Sequence, residues 1–218
     1  VIGSCVTHEA LCRSEAVARL APVLAQACGR VGGPQIRARG TIGGNLANAS
    51  PAADGATALL ALDARVRVAG ADGTRATIAL EEFMTGPGAC ALGECDLVEA
   101  VEFEIPPEGA AGVYLKAGQR NAMAIALASI AAVFLPDEGR LRLALGSVAP
   151  TPVRTREAEA LFVELWQGRG DPDDIFAAVA GKAVESTCCI DDVRATAPYR
   201  RRLVRALAER ALREICRR

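Results

Sequence analysis

Residues 40–54, Gly-Thr-Ile-Gly-Gly-Asn-Leu-Ala-Asn-Ala-Ser-Pro-Ala-Ala-Asp, hold the densest group of ligand-binding chemistry in the chain. Gly43 and Gly44 carry no side chains, so a bulky ligand can lie against bare backbone and accept hydrogen bonds from its N–H groups. Thr41, Asn45, Asn48 and Ser50 set neutral polar groups beside that backbone. Ser50 and Pro51 read as the N-cap and first residue of a helix running to about Asp63. A helix start beside a Gly-Gly loop suits a phosphate-bearing ligand.

The rest of the chain is poor in reactive groups. His8 is the single histidine, so no multi-histidine metal site can form, and a structural role is expected for it. No Ser–His–acid set and no paired carboxylates stand out. Asp191–Asp192 reads as a helix-capping or salt-bridged turn before Arg194. Cys5, Cys12, Cys28, Cys90, Cys95, Cys188, Cys189 and Cys216 show no C-x-x-C spacing. They read as reduced cytosolic thiols that pack as small apolar residues, and a cluster built from distant cysteines is the less favoured alternative. G-x-G-x-x-G, G-x-x-x-x-G-K-[ST] and G-x-S-x-G are absent from the sequence, which removes the main support for Rossmann, P-loop and α/β-hydrolase folds. A polar glycine cradle without reactive side chains points to a cofactor that does the chemistry.

With 218 residues, 51% of them hydrophobic, the chain can bury a core as one large domain or two small ones. A net charge of −1 and 4% aromatics give no reason to expect nucleic acid or an anionic membrane as a partner. No apolar run approaches the roughly 20 residues of a membrane span, and no secretory signal is recognisable.

The elements that must position the glycine segment follow from periodicity. Val1–Val6 reads as a strand, and Glu9–Cys12 with residues 15–28 as a helical stretch ended by Gly29 and Gly32–Gly33–Pro34. Gln35–Arg39 reads as an extended or turn segment. Arg65–Ala69 and Arg75–Leu80 form a hairpin about Asp72-Gly73. Leu80–Met84 reads as a turn or short helix, and Leu97–Ile105 as a strand. A domain boundary is expected at about 107–112, dividing the chain into 1–110 and 111–218. Val113–Ala117, Ile125–Phe134 and Leu141–Ser147 read as three strands. Residues 155–166, 172–185 and the arginine-rich Tyr199–Cys216 read as helices, with the arginines on a solvated face.

Several motifs carry a family resemblance. Gly33-Pro34-Gln35-Ile36-Arg37, Thr41-Ile42-Gly43-Gly44-Asn45-Leu46 and Ala49-Ser50-Pro51-Ala52-Ala53-Asp54 resemble the FAD-binding subunit of the molybdenum hydroxylases. That family includes xanthine dehydrogenase, nicotinate-type dehydrogenases and aerobic carbon monoxide dehydrogenase. Val1–His8, Phe83–Gly88, Tyr114-Leu115-Lys116, Arg120–Ala126, Gly146–Glu159 and Ile190–Arg202 continue the resemblance in order along essentially the whole chain. The sequence departs from the family at Ala38 and Gly55, where Asn and Leu are often found. It has no cysteine-rich insertion after Asn45, which disfavours the benzoyl-CoA-reductase-like branch.

The resemblance implies an α+β fold: the second part of a vanillyl-alcohol-oxidase-type FAD-binding domain, then a smaller α+β C-terminal domain with a three-stranded sheet and helices. It implies a flavin site of Thr41, Ile42, Gly43, Gly44 and Asn45, with Asp54 accepting a flavin hydrogen bond, Val98 packing on the isoalloxazine and Lys116 contacting the flavin. Val31 matches a position on the adenine or flavin wall. It further implies a preceding segment with an Ala-Gly-Gly-type pyrophosphate loop, so the other half of the site is expected before Val1. The implied role is a cytoplasmic subunit of a heterotrimer with a molybdenum-cofactor-binding large subunit and a [2Fe-2S] small subunit. Electrons would pass through FAD to NAD⁺, and the substrate would be a purine such as xanthine or a related N-heteroaromatic. A carbon monoxide dehydrogenase medium subunit and a flavin-free assembly subunit are the alternatives. A stand-alone flavoprotein oxidase fits the C-terminal motifs poorly.

Overall fold

The computed structural model describes residues 1–120 and 123–216. Strand β1 (Ile2–Gly3) is followed by three short helices, α1 (His8–Arg13), α2 (Glu15–Leu20) and α3 (Pro22–Gly29). The strand expected over Val1–Val6 is thus reduced to two residues, and the helix expected over 15–28 is split. Proline lacks an N–H and drives the residue before it out of the helical region, and Ala21 accordingly sits at φ −149°, ψ 64°.

Helices α4 (Pro34–Arg39) and α5 (Ile42–Ala47) replace the turn and the Gly-Gly loop expected there. Pro34 starts α4 as a preorganised first residue. Thr41 caps α5, its Oγ1 accepting from the Gly44 N–H at 3.1 Å. Each glycine in a helix costs roughly 1 kcal/mol against alanine. Full burial of Ile42 and Leu46 contributes about 1.5–3 kcal/mol apiece, which outweighs that cost. Helix α6 (Asp54–Ala61) starts later than the Ser50-Pro51 signal suggests. Ser50–Ala53 closes a turn instead, and the Pro51 carbonyl accepts from the Ser147 N–H at 2.7 Å rather than opening a helical ladder.

Strands β2 (Arg65–Ala69) and β3 (Arg75–Ala79) form the expected hairpin, with Gly73 at φ +84° in its turn. Helix α7 (Leu80–Phe83), strands β4 (Met84–Gly86) and β5 (Ala89–Cys90), and strand β6 (Leu97–Glu102) complete this half. The first sheet is antiparallel in the order β1-β6-β2-β3. The second contains β7 (Ala111–Ala117), β8 (Ala128–Leu135), β9 (Arg140–Gly146) and a short fourth strand, β10 (Val153–Arg154), beyond the three expected. Helices α8 (Arg156–Gln167), α9 (Pro172–Glu185) and α10 (Ala197–Ile215) lie close to their expected spans. In the Arg120–Ala126 motif, Asn121 and Ala122 lie outside the described residues, as do Arg217 and Arg218 at the end of the span expected for the second domain.

Strand β8 is buried along its full length because it is covered on both faces. Ala131, Val133 and Leu135 face one core with residues of α3 and α6. Ala128, Ile130, Ala132 and Phe134 face the other with α8, α9 and α10. The side-chain period of two divides the strand between the cores.

Two buried arginines tie loops to this frame. Arg154 donates to both carboxylate oxygens of Glu159 (2.7 and 2.8 Å), to the Leu60 carbonyl (3.1 Å) and to Asp63. Arg200 donates to the carbonyls of Leu127 (2.7 Å) and Ser147 (2.9 Å) and to Asp192 (2.8 Å). Asp191 accepts from the Ala197 N–H at the start of α10, so this acidic pair is the capping and salt-bridged turn the sequence suggests. Burial raises the Asp192 pKa, but the Arg194 and Ala195 N–H groups and the Arg194 and Arg200 guanidiniums outweigh it and hold the carboxyl well below the ordinary range. A depressed carboxylate pKa adds stability above the unfolded value and loses it as pH falls below. Asp192→Asn should therefore lower the melting midpoint by a few degrees at pH 7. The gap to wild type should close as pH falls below 3.8 toward the folded-state pKa, as thermal melts at pH 7 and pH 2.5 will show.

Candidate cofactor-binding site

The Thr41–Asn45 turn is held by the chain's first segment. Ile42 N–H donates to the Val6 carbonyl and Gly43 N–H to the Ser4 carbonyl, both at 2.9 Å, and Asn45 N–H donates to the Thr41 carbonyl at 3.0 Å. With Gly44 N–H on Thr41 Oγ1, the amides of residues 42–45 are all engaged within the protein. The expectation of a free N–H cradle is corrected here: the turn offers a ligand its shape and side chains. Gly43 is glycine because a Cβ there would lie 2.5 Å from Ser4 Cβ. Gly44 is exposed, so its bare face is open to close approach.

Asn45 lies beside Gly55. A Cβ at 55 would come within 2.9 Å of Asn45 Oδ1 and 3.6 Å of His8 Cε1. His8 is buried, and burial lowers its pKa, so its imidazole packs neutral, while its backbone N–H donates to the Gly40 carbonyl at 2.9 Å. Next to Gly55, Asp54 opens α6 and is 5% exposed. Its Oδ2 receives Lys116 Nζ at 2.7 Å and its Oδ1 receives the Tyr114 hydroxyl at 2.5 Å. Lys116 Nζ also donates to the Arg30 carbonyl at 3.0 Å. An ammonium has three donors, so one N–H remains beyond these two partners. Burial raises the Asp54 pKa, against the pull of Lys116 and Tyr114.

Lys116 lines a cleft of about 370 Å³ between Gly29–Gly32 and Ala117–Gly118, where Arg30, Arg37 and Arg120 also stand. Among the described residues that line it there is no carboxylate. Arg37 is steadied by Glu9 (3.2 Å) and the Val31 carbonyl (3.3 Å). Such a donor set suits an anionic ligand, and an anionic reduced flavin or a dinucleotide phosphate fits it.

The structure thus brings Thr41–Asn45, Asp54 and Lys116 into one continuous line through Gly55. Val31 lies between the cleft residues Arg30 and Gly32, and its carbonyl accepts from Arg37, but its side chain is not part of the cleft lining. Among the described residues no contact brings Val98 into this line: it sits on β6 opposite Val68 and packs partly buried against the first core, one residue before Glu99, whose carbonyl accepts the Ser4 N–H at 3.0 Å. The sequence reading places Tyr114 and Arg37 within motifs but gives neither a role at the site, and it does not name Arg30. Strand alternation carries the signal for Tyr114, two residues from Lys116 on the same face. For the arginines, the signal is their place beside Gly29, Gly32 and Gly33.

Comparison with known proteins gives this geometry a family. Residues 1–107 match the model of the FAD binding domain in molybdopterin dehydrogenase, and residues 113–215 that of the CO dehydrogenase flavoprotein C-terminal domain. The chain is 37% identical over 162 residues to the putative xanthine dehydrogenase FAD-binding subunit of Escherichia coli K12, covering 72% of this chain and 55% of that protein. It is 30% identical to the 6-hydroxypseudooxynicotine dehydrogenase complex subunit alpha of Paenarthrobacter nicotinovorans, covering 97% of this chain and 71% of that one. The CO dehydrogenase structure from Oligotropha carboxidovorans superposes with a TM-score of 0.90 at 26% identity, over 97% of this chain and 73% of that one. The chain belongs to the family of FAD-binding medium subunits of the molybdenum hydroxylases, and it has that family's two-part α+β fold. It spans about half the length of the xanthine dehydrogenase relatives, 55% of each.

Proposed function

We propose that this chain is the FAD-carrying electron-transfer part of a molybdenum-dependent hydroxylase, divided at about residue 110 into a flavin-binding and a C-terminal domain. The observation that carries the reading is the buried Asp54–Lys116 pair, 2.7 Å apart, beside the Thr41–Asn45 turn and opening on a cationic cleft. FAD, when bound, supplies electron transfer between iron–sulfur clusters and an acceptor. The chain's own residues do the rest. Thr41, Ile42, Gly43, Gly44 and Asn45 shape the wall. Asp54 fixes Lys116, Val98 and Val31 give apolar contact, and Lys116 sets a positive charge that favours an anionic reduced flavin.

In this reading the partners are a molybdenum-cofactor-binding large subunit and a [2Fe-2S] small subunit, in the cytoplasm. The cationic rim of Arg30, Arg37 and Arg120 supports an anionic acceptor such as NAD⁺. The likeness to the E. coli xanthine dehydrogenase subunit supports a purine or related N-heteroaromatic as the substrate of the complex. The TM-score of 0.90 to CO dehydrogenase favours a carbon monoxide dehydrogenase medium subunit as the second reading. The full-length protein should be yellow, with a flavin spectrum bleached by NADH. Lys116→Met should weaken FAD binding about tenfold, roughly 1.4 kcal/mol, and lower the flavin midpoint potential. A full-length protein that takes up no flavin overturns the proposal.

A further inference from the structure

We propose that Tyr114 is a positioning residue of the cofactor cleft: its hydroxyl fixes the Asp54 carboxylate, which in turn fixes the Lys116 ammonium. The inference rests on the flavin reading of that cleft. Tyr114 and Lys116 project from the same face of β7, and Asp54, in the first turn of α6, receives both. The tyrosine O–H takes Oδ1 at 2.5 Å, which leaves Oδ2 for Lys116 at 2.7 Å. The strand is itself pinned to α3, where Gln26 Oε1 accepts the Tyr114 N–H at 2.8 Å.

A buried carboxylate is tolerated when it is paired and its remaining oxygen is hydrogen-bonded. Lys116 satisfies one oxygen, and the phenol satisfies the other. Tyr114 is 4% exposed, so no solvent replaces it. Without its O–H, Asp54 can turn about its side-chain axis, and the ammonium loses a fixed counter-ion. The Arg30 carbonyl alone would then define where the Lys116 charge sits.

Among the described residues, the charged and titratable groups that act on Asp54 are Lys116 and Tyr114 on β7, and Arg30 and Cys28 on or just after α3. Burial pushes the carboxyl up, while Lys116, Tyr114 and Arg30 pull it down. Removing the phenol's contribution brings protonation of Asp54 to higher pH. Protonation dissolves the ion pair, so flavin affinity should fall on the acid side of that point.

The test measures FAD dissociation constants of the full-length protein from pH 5 to 8, for wild type, Tyr114→Phe, Lys116→Met and the double variant. Tyr114→Phe should weaken binding about fivefold to tenfold at pH 7 and move the acid limb up by about one pH unit, a tenfold change in proton affinity. The double variant should bind no more weakly than Lys116→Met alone, because both changes remove the same placed charge. A tyrosine that only packs would give additive losses and an unmoved limb. Tyr114→3-fluorotyrosine, nearly identical in shape and a stronger donor, should move the limb to lower pH and covers the case of a poorly folded Tyr114→Phe. Coincident limbs or additive losses overturn the inference alone. A wild-type protein that binds no flavin at any pH overturns the functional reading beneath it.

Discussion

Arg154→Ala should destabilise the protein by about 3–5 kcal/mol, the usual result of removing one partner from a buried charge network. For a chain of this length that lowers the melting midpoint by roughly 6–20 °C. The arginine side chain is 2% exposed and Glu159 12%, whereas Asp63 is 42% exposed. The Glu159 arm therefore dominates, and the Asp63 arm is weakened by solvent. Arg154→Lys should recover little, because an ammonium cannot engage both Glu159 oxygens in a planar fork. Replacing the pair together, Arg154→Met with Glu159→Leu, should recover part of the loss. It cannot recover all of it, since Glu159 Oε1 also accepts the Leu143 N–H at 2.7 Å. Denaturant melts of the four proteins check the order.

Gly43→Ala should damage both fold and site. The added Cβ would meet Ser4 Cβ at 2.5 Å and the Ser4 carbonyl oxygen at 2.9 Å. Helix α5 must then shift away from the first segment, at an overpacking cost of about 1–3 kcal/mol. The Ser4 and Val6 hydrogen bonds that hold the turn weaken with it, and FAD affinity should fall at least about tenfold, or roughly 1.4 kcal/mol. Gly44→Ala separates the two effects. Its Cβ would meet only Thr41 Oγ1, at 3.1 Å, so stability should hold while the methyl on the exposed face still lowers FAD affinity. Equal stability losses in the two variants would refute this account of the turn.

Local signals made some of this legible in the sequence. Asp72-Gly73 between two alternating segments specifies a hairpin by itself, and the hydrophobic stripes of the last three helices specify them. The Thr41–Asn45 turn was recognisable as a motif but not as a helix. Glycine propensity is a local quantity, whereas the pairing with Ser4–Val6 and the burial of Ile42 and Leu46 that overrule it are not. The same holds for Ser50-Pro51, a good helix start on its own, which is drawn off by Ser147. Asp54 and Lys116 are 62 residues apart. No spacing rule joins them, and only the family resemblance put them at one site. Tyr114 stood in a motif without a role, because alternation places it beside Lys116 without showing that a carboxylate waits between them.

Strand β8 gives alternate side chains to two cores, and that has a consequence for how the molecule comes apart. Two family models meet between residues 107 and 113, as if the chain were two exchangeable modules. Yet residues 1–110 alone would expose the apolar surface that Ala131, Val133 and Leu135 cover, and residues 111–218 alone would expose the other side of that seam. The two halves should therefore unfold as one cooperative unit, a single transition in a denaturant melt. Their connection rests on the packing of β8 against α3 and α6 more than on the linker at Pro106–Pro107.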